Sequence, residues 1–212
     1  MLAAALIVAV LFASSKPVVP VTATCPASPE ATFVAGARAC PALEISGSVD
    51  ARGVTLDPVY DVSATPGEFT RPAEGAVLTG YAADGRRLFA FPVGANGSFH
   101  AFVPLALPAQ QMLARVVLAS GDARSERVAV AHGEPEAEIV AIDDGRAIVA
   151  WNAHAFPAIR VRESPERAPI AAGAGTSTFE QMSVDTRVRR IYVEFSDGVR
   201  SVTRTYTIFG RR

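Results

Sequence analysis

Three histidines, His100, His132 and His154, are the residues of this 212-residue chain best suited to metal chemistry, and their spacing argues against it. None lies four positions from another, as two ligands on one helical turn would, and no His-Glu-x-x-His segment occurs. The ligand set of a zinc peptidase is therefore missing. His100 falls between Phe99 and Phe102 in a strand-like run and reads as a partly exposed sheet histidine. A Gly-x-Ser-x-Gly nucleophile elbow does not occur. The Gly173-Ala-Gly175 stretch lacks a following Gly-Lys-Ser/Thr, and Lys16 is the only lysine, so phosphate cradling fails and the stretch reads as an inter-strand loop. Asp143 and Asp144 carry the oxygen ligands calcium prefers, but they precede Gly145 in a hairpin pattern and read as a turn. The expectation is no catalytic residue, no metal and no cofactor.

Binding chemistry has one candidate. The formal net charge is -1, with no global excess to attract nucleic acid or an anionic membrane. The C-terminus is uneven: Arg187, Arg189, Arg190, Arg200, Arg204, Arg211 and Arg212 face only Glu194 and Asp197. Arg187, Arg189, Arg190, Arg200 and Arg204 are the expected contact residues, on one sheet face, for an acidic polysaccharide, lipid head groups or a partner protein. The alternative is a solvated face paired with neighbouring carboxylates. No aromatic platform or motif supports nucleic acid.

The elements that position these residues are strands. Residues 43–49 alternate apolar and polar, the signature of a half-buried strand. After Arg52 and Gly53 turn the chain, Val54, Leu56, Tyr60 and Val62 are expected on one face, with Pro58 marking an edge or a bulge. Further strands are expected at 76–83, 87–93, 98–104, 114–119 and 126–131, with a helical turn near 108–114. Asp84-Gly85 and Asn96-Gly97 are hairpin signals of type I′, which needs positive φ at both central residues. The second set is 137–142, 146–152, 157–163, 167–172, 188–196 and 199–208, with turns at Asp144-Gly145 and Asp197-Gly198. Trp151, the sole tryptophan, ends an alternating run and is expected to anchor a core between two sheets. The fold class is all-β: two tandem immunoglobulin-like antiparallel β-sandwich modules, residues 43–131 and 137–212, joined by a linker at 132–136.

Residues 1–23 form a signal-peptide-like leader, too short to span a bilayer and lacking a basic start. A Pro-rich tether follows at 24–42. Its Cys25 and Cys40 are the only cysteines, and in an oxidising compartment a disulfide is the expected state. A lipid anchor on Cys25, and two free thiols if export fails, remain the alternatives. The expected location is secreted or periplasmic, in the cell envelope, without a membrane span.

The runs beginning at Ile45, Gly53, Leu78 and Asp84, with the closing Phe195-Ser-Asp-Gly-Val-Arg-Ser201, resemble the C-terminal immunoglobulin-like or fibronectin III-like modules of large secreted bacterial proteins, some carrying a metallopeptidase domain. The resemblance covers residues 43–209 and carries over no catalytic residue. It implies an accessory module for surface contact, or a spacer. The expected function is non-catalytic binding of a protein or cell-envelope glycan. The alternatives are an accessory tail of a secreted metallopeptidase, with the peptidase domain in a longer or neighbouring chain, and a spacer without a ligand.

Overall fold

The computed structural model describes residues 25–26, 39–130, 133–143, 145–165 and 167–208, and the chain is all-β with one short helix among them. Its first eight strands are β1 (Cys40–Asp50), β2 (Gly53–Leu56), β3 (Tyr60–Ala64), β4 (Gly75–Ala82), β5 (Arg87–Gly94), β6 (Gly97–Pro104), β7 (Leu113–Ser120) and β8 (Ala123–Val128). The helix α1 (Leu107–Met112) joins β6 to β7, with Pro108 in its first turn where a missing N–H costs no hydrogen bond. One sheet is centred on β1, which pairs with β2 and β3 along one edge and β6 along the other; a second has the order β5-β4-β7-β8. Leu43, Ile45 and Val49 from the first sheet pack on Leu78, Phe89, Phe91 and Leu118 from the second. Alternation in β1 decides which face this is.

The remaining strands are β9 (Ala137–Asp143), β10 (Arg146–Trp151), β11 (Ala158–Arg162), β12 (Ala171–Ala174), β13 (Glu180–Asp185), β14 (Arg190–Ser196) and β15 (Ser201–Thr207). They form the sheets β13-β10-β9 and β12-β11-β14-β15. Between them lies a second apolar cluster of Val149, Trp151, Ile159, Val161, Ile191, Val193 and Phe195. Trp151 is buried there, and its indole N–H donates to the Phe156 carbonyl at 3.0 Å. Cys25 and Cys40 are disulfide-bonded, with Cα atoms 5.5 Å apart.

Several local expectations are corrected. Tyr60 and Val62 lie on the opposite face from Val54 and Leu56: β2 pairs Leu56 with Gly47, while β3 pairs Tyr60 with Glu44. One extra residue is absorbed around Pro58, and a bulge of that kind reverses the alternation. Neither expected type I′ hairpin turn stands: Gly85 and Gly97 have positive φ but Asp84 and Asn96 do not, and Asn96-Gly97 joins β5 to β6, which lie in different sheets and do not pair. At the first of them the Asp84 carboxylate instead accepts the Arg86 amide at 2.9 Å. The expected strand at 126–131 begins earlier, at Ala123, and the one at 167–172 begins later, at Ala171. Gly173 is therefore strand, not loop. A Cβ there would lie 2.7 Å from Trp151 Cη2, so the glycine lets β12 approach the indole. The strand β13 was not anticipated at all.

Candidate functional site

On β1 the core-facing Leu43 and Ile45 leave Glu44 and Ser46 on the outer face. Register sets Tyr60 of β3 and Phe102 of β6 beside Glu44, with His100 two residues along β6. In the fourth sheet, β11 and β14 send Ile159, Val161, Val193 and Phe195 into their core, so Arg160, Arg162 and Glu194 point the other way. These two outer faces meet. Arg160 Nε donates to Glu194 Oε2 at 2.9 Å and its Nη1 to Glu44 Oε1 at 2.7 Å. Arg162 Nε donates to Glu194 Oε1 at 3.0 Å, and its Nη2 lies 3.8 Å from Glu44 Oε2. Arg162 Nη1 donates to the Arg167 carbonyl. The Arg160 guanidinium stacks 3.5 Å over the Tyr60 ring.

All four charged side chains are at most 16% exposed. Charges in such a setting are stable only when matched and hydrogen-bonded; two carboxylates facing two guanidiniums balance the charge, while Arg160 Nη2 is buried without a hydrogen-bond partner among the described residues. Burial acts to raise the Glu44 pKa, but hydrogen bonds and charge from Arg160 and His100 outweigh it and hold the carboxyl below its ordinary value. His100 donates or accepts at 3.0 Å from Glu44 Oε1 and stands edge-on to Phe102. Burial also pushes the Tyr60 hydroxyl well above its ordinary value.

A second contact reinforces the first. The turn between β14 and β15 is buried against the N-terminal sheets: Ser196, Asp197 and Val199 are almost inaccessible, and Val199 belongs to the first apolar core. The Ser196 hydroxyl donates to the Val59 carbonyl at 2.7 Å, and the Val59 amide donates to the Gly198 carbonyl at 3.1 Å. Asp61 and Ser201 exchange two bonds, Asp61 N–H to Ser201 Oγ at 2.8 Å and Ser201 N–H to Asp61 Oδ2 at 2.6 Å. Burial, with a further contribution from the Asp197 charge, raises the Asp61 pKa to about 6 against the opposing Ser201 amide and Arg200.

Two clefts flank this junction, and Glu44 lines both. The smaller, about 300 Å³, lies where the short side chains of Ala172 and Ala174 fail to fill the space opposite Asp57 and Tyr60. The larger, about 760 Å³, runs along β3 and holds Glu44, Asp61, Glu68, Glu194, His100 and Arg162.

The five C-terminal arginines do not form one stripe. Arg190 pairs with Thr207 and Arg204 with core-facing Val193, so the two lie on opposite faces of the β14–β15 pair. Arg200 binds Asp197 at 3.0 Å and Arg204 binds Glu134 at 3.0 Å. Arg189 and Arg190 share an open groove of about 400 Å³ with Glu163 and Tyr192, and Arg187 is exposed in the preceding connection. His154 is exposed far along the chain from His100, while His132, Asp144, Arg211 and Arg212 lie outside the described residues. Among the described residues no three His, Cys, Asp or Glu side chains gather as a metal site, and no helix is long and apolar enough to cross a membrane.

Glu44, Arg160, Arg162 and Glu194 were missed by sequence reasoning. Their signal was present: charged residues of opposite sign at the outward positions of strands with apolar inward residues. An outward position is normally solvated, so only the meeting of the two sheets changes its meaning. No protein-family model and no curated protein matches the chain.

Proposed function

We propose that this chain is a non-catalytic, exported binding or accessory protein: two tandem immunoglobulin-like β-sandwich modules that contact a protein or cell-envelope glycan through the clefts beside their junction. The supporting observation is the Arg160–Arg162–Glu44–Glu194 network. It fixes polar groups at the mouth of a cleft large enough for a short oligomer, and fixed groups lose little entropy when a ligand arrives. Arg189 and Arg190 are a secondary contact surface.

Retention of the purified chain on envelope material tests this reading. Ala168→Arg, which narrows the larger cleft, is expected to abolish saturable retention, whereas the Arg187→Ser/Arg189→Ser/Arg190→Ser variant retains it in reduced form. Retention that ignores the blocked cleft would refute the assignment of the site. The buried β14–β15 turn also favours a second reading, a rigid spacer or accessory tail of a secreted metallopeptidase, and that reading expects no saturable binding by any variant.

A further inference from the structure

The larger cleft is bounded on one side by the outer edge of β3, which the β14–β15 hairpin holds at Asp61 and leaves open at Ser63. Among the described residues β3 pairs with β1 alone. The Asp61 amide points away from β1, to Ser201 Oγ, and Pro41 opposite Ser63 offers its carbonyl to Leu105 instead. Odd-numbered residues of β3 therefore present their backbone groups outward. The Asp61 carbonyl and both backbone groups of Ser63 have no partner among the described residues, and Ser63 is exposed. Beyond it, the Thr65 amide is held by the Glu68 carboxylate at 2.7 Å, which closes that end of the edge. The opposite wall of the cleft carries Pro165, Ala168 and Pro169. Its charge is acidic: four carboxylates, Glu44, Asp61, Glu68 and Glu194, face one guanidinium, Arg162, and one imidazole, His100. Counting Arg160 behind them still leaves the carboxylates in excess.

We infer that the β3 edge captures an extended basic peptide, which adds as a further strand by bonding to Ser63 and places a lysine or arginine side chain among these carboxylates. The backbone supplies a length-wise anchor that is indifferent to sequence, and the carboxylates choose the side chain. Short, unprotected edges are ordinarily covered or charged to prevent pairing; here the neighbouring negative charge admits a cationic strand and repels an acidic one. The inference rests on the binding reading above and names its partner.

The test is fluorescence anisotropy of a labelled hexapeptide alternating lysine with valine or threonine, titrated with the full disulfide-bonded chain near neutral pH. Saturable binding is expected, weakening with added salt and about tenfold or more weaker when the lysines become glutamates. N-methylation of one alternate set of peptide nitrogens is expected to lower affinity about tenfold, and of the intervening set to leave it unchanged, because only one set faces Ser63. Ser63→Pro removes the edge donor and is expected to give the same loss; if that variant does not fold, the N-methyl series decides alone. Equal tolerance of both N-methyl sets, or equal binding of the glutamate peptide, would overturn the inference. So would self-association through this edge, which would place a second copy there. Envelope retention without peptide binding overturns the peptide and leaves the binding reading standing; absence of both removes both.

Discussion

Replacing Asp61 by asparagine isolates one buried charge at the junction. Its Oδ2 accepts the Ser201 amide, but its Oδ1 is buried without a hydrogen-bond partner among the described residues. Burial and the nearby Asp197 carboxylate raise the folded pKa from 3.8 to about 6. Each unit of difference corresponds to about 1.4 kcal/mol, so the full shift is worth about 3 kcal/mol. A carboxyl whose folded pKa is raised binds its proton more tightly in the folded chain. Its contribution is fully favourable below pH about 4, declines as pH rises to about 6, and is flat above that. Asparagine does not titrate. The difference in unfolding free energy between Asp61→Asn and the parent, measured by urea unfolding at pH steps, therefore cancels the other carboxyls. It is expected to move in favour of the variant by about 2.4 kcal/mol between pH about 4 and 7. A flat difference curve, or one favouring the parent as pH rises, would refute the burial argument.

Glu44→Gln removes one of two negative charges from the buried set and is expected to cost about 2–4 kcal/mol; in Glu44→Gln/Arg160→Met the loss should fall short of the sum of the single losses by about 1 kcal/mol or more. Additive losses would show that the pair does not interact. Gly173→Ala forces a Cβ to 2.7 Å from Trp151 Cη2 and 3.0 Å from Met182 Sδ, and should destabilise by about 1–3 kcal/mol with a shift in tryptophan emission. An unchanged melting temperature would contradict that packing. Val199→Ala is expected to cost about 2 kcal/mol and to speed amide exchange in β2 and β3, far away in sequence, more than in β10. Exchange that rises only near residue 199 would show that the turn is not part of the first core.

Strand identity was legible where one face is buried and the other wet, as in residues 43–49 and in β14, because alternation is then imposed by burial itself. Trp151 and the disulfide were legible for similar reasons, each having few other stable environments. The bulge at Pro58 announced itself, but not its effect: an added residue reverses faces, and no pattern in Val54, Leu56, Tyr60 and Val62 reveals whether one was added. β12 and β13 were obscured by short side chains and by residues 180–183, where glutamate, glutamine and serine mask the inward Met182 and Val184. The arginine cluster was misleading because proximity in sequence on a hairpin splits residues between two faces. The junction charges were hidden for the opposite reason: Glu44 and Glu194 are 150 positions apart, and only the meeting of two sheets brings them to the same guanidinium.

Val199 gives the order of synthesis a physical meaning. The first core draws its fully buried side chains from residues 43–118 and then from one valine some eighty positions later. While the chain is being made, the early sheets can collapse but must keep a vacant, wettable socket until the late hairpin emerges. A nascent chain of this kind is sealed by the β14–β15 turn. Termination or cleavage before residue 190 would leave a folded-looking first half with an open apolar seam, prone to take a strand from a neighbour. The arrival of the β14–β15 turn is in that sense recorded in the first half, as the closing of a hole.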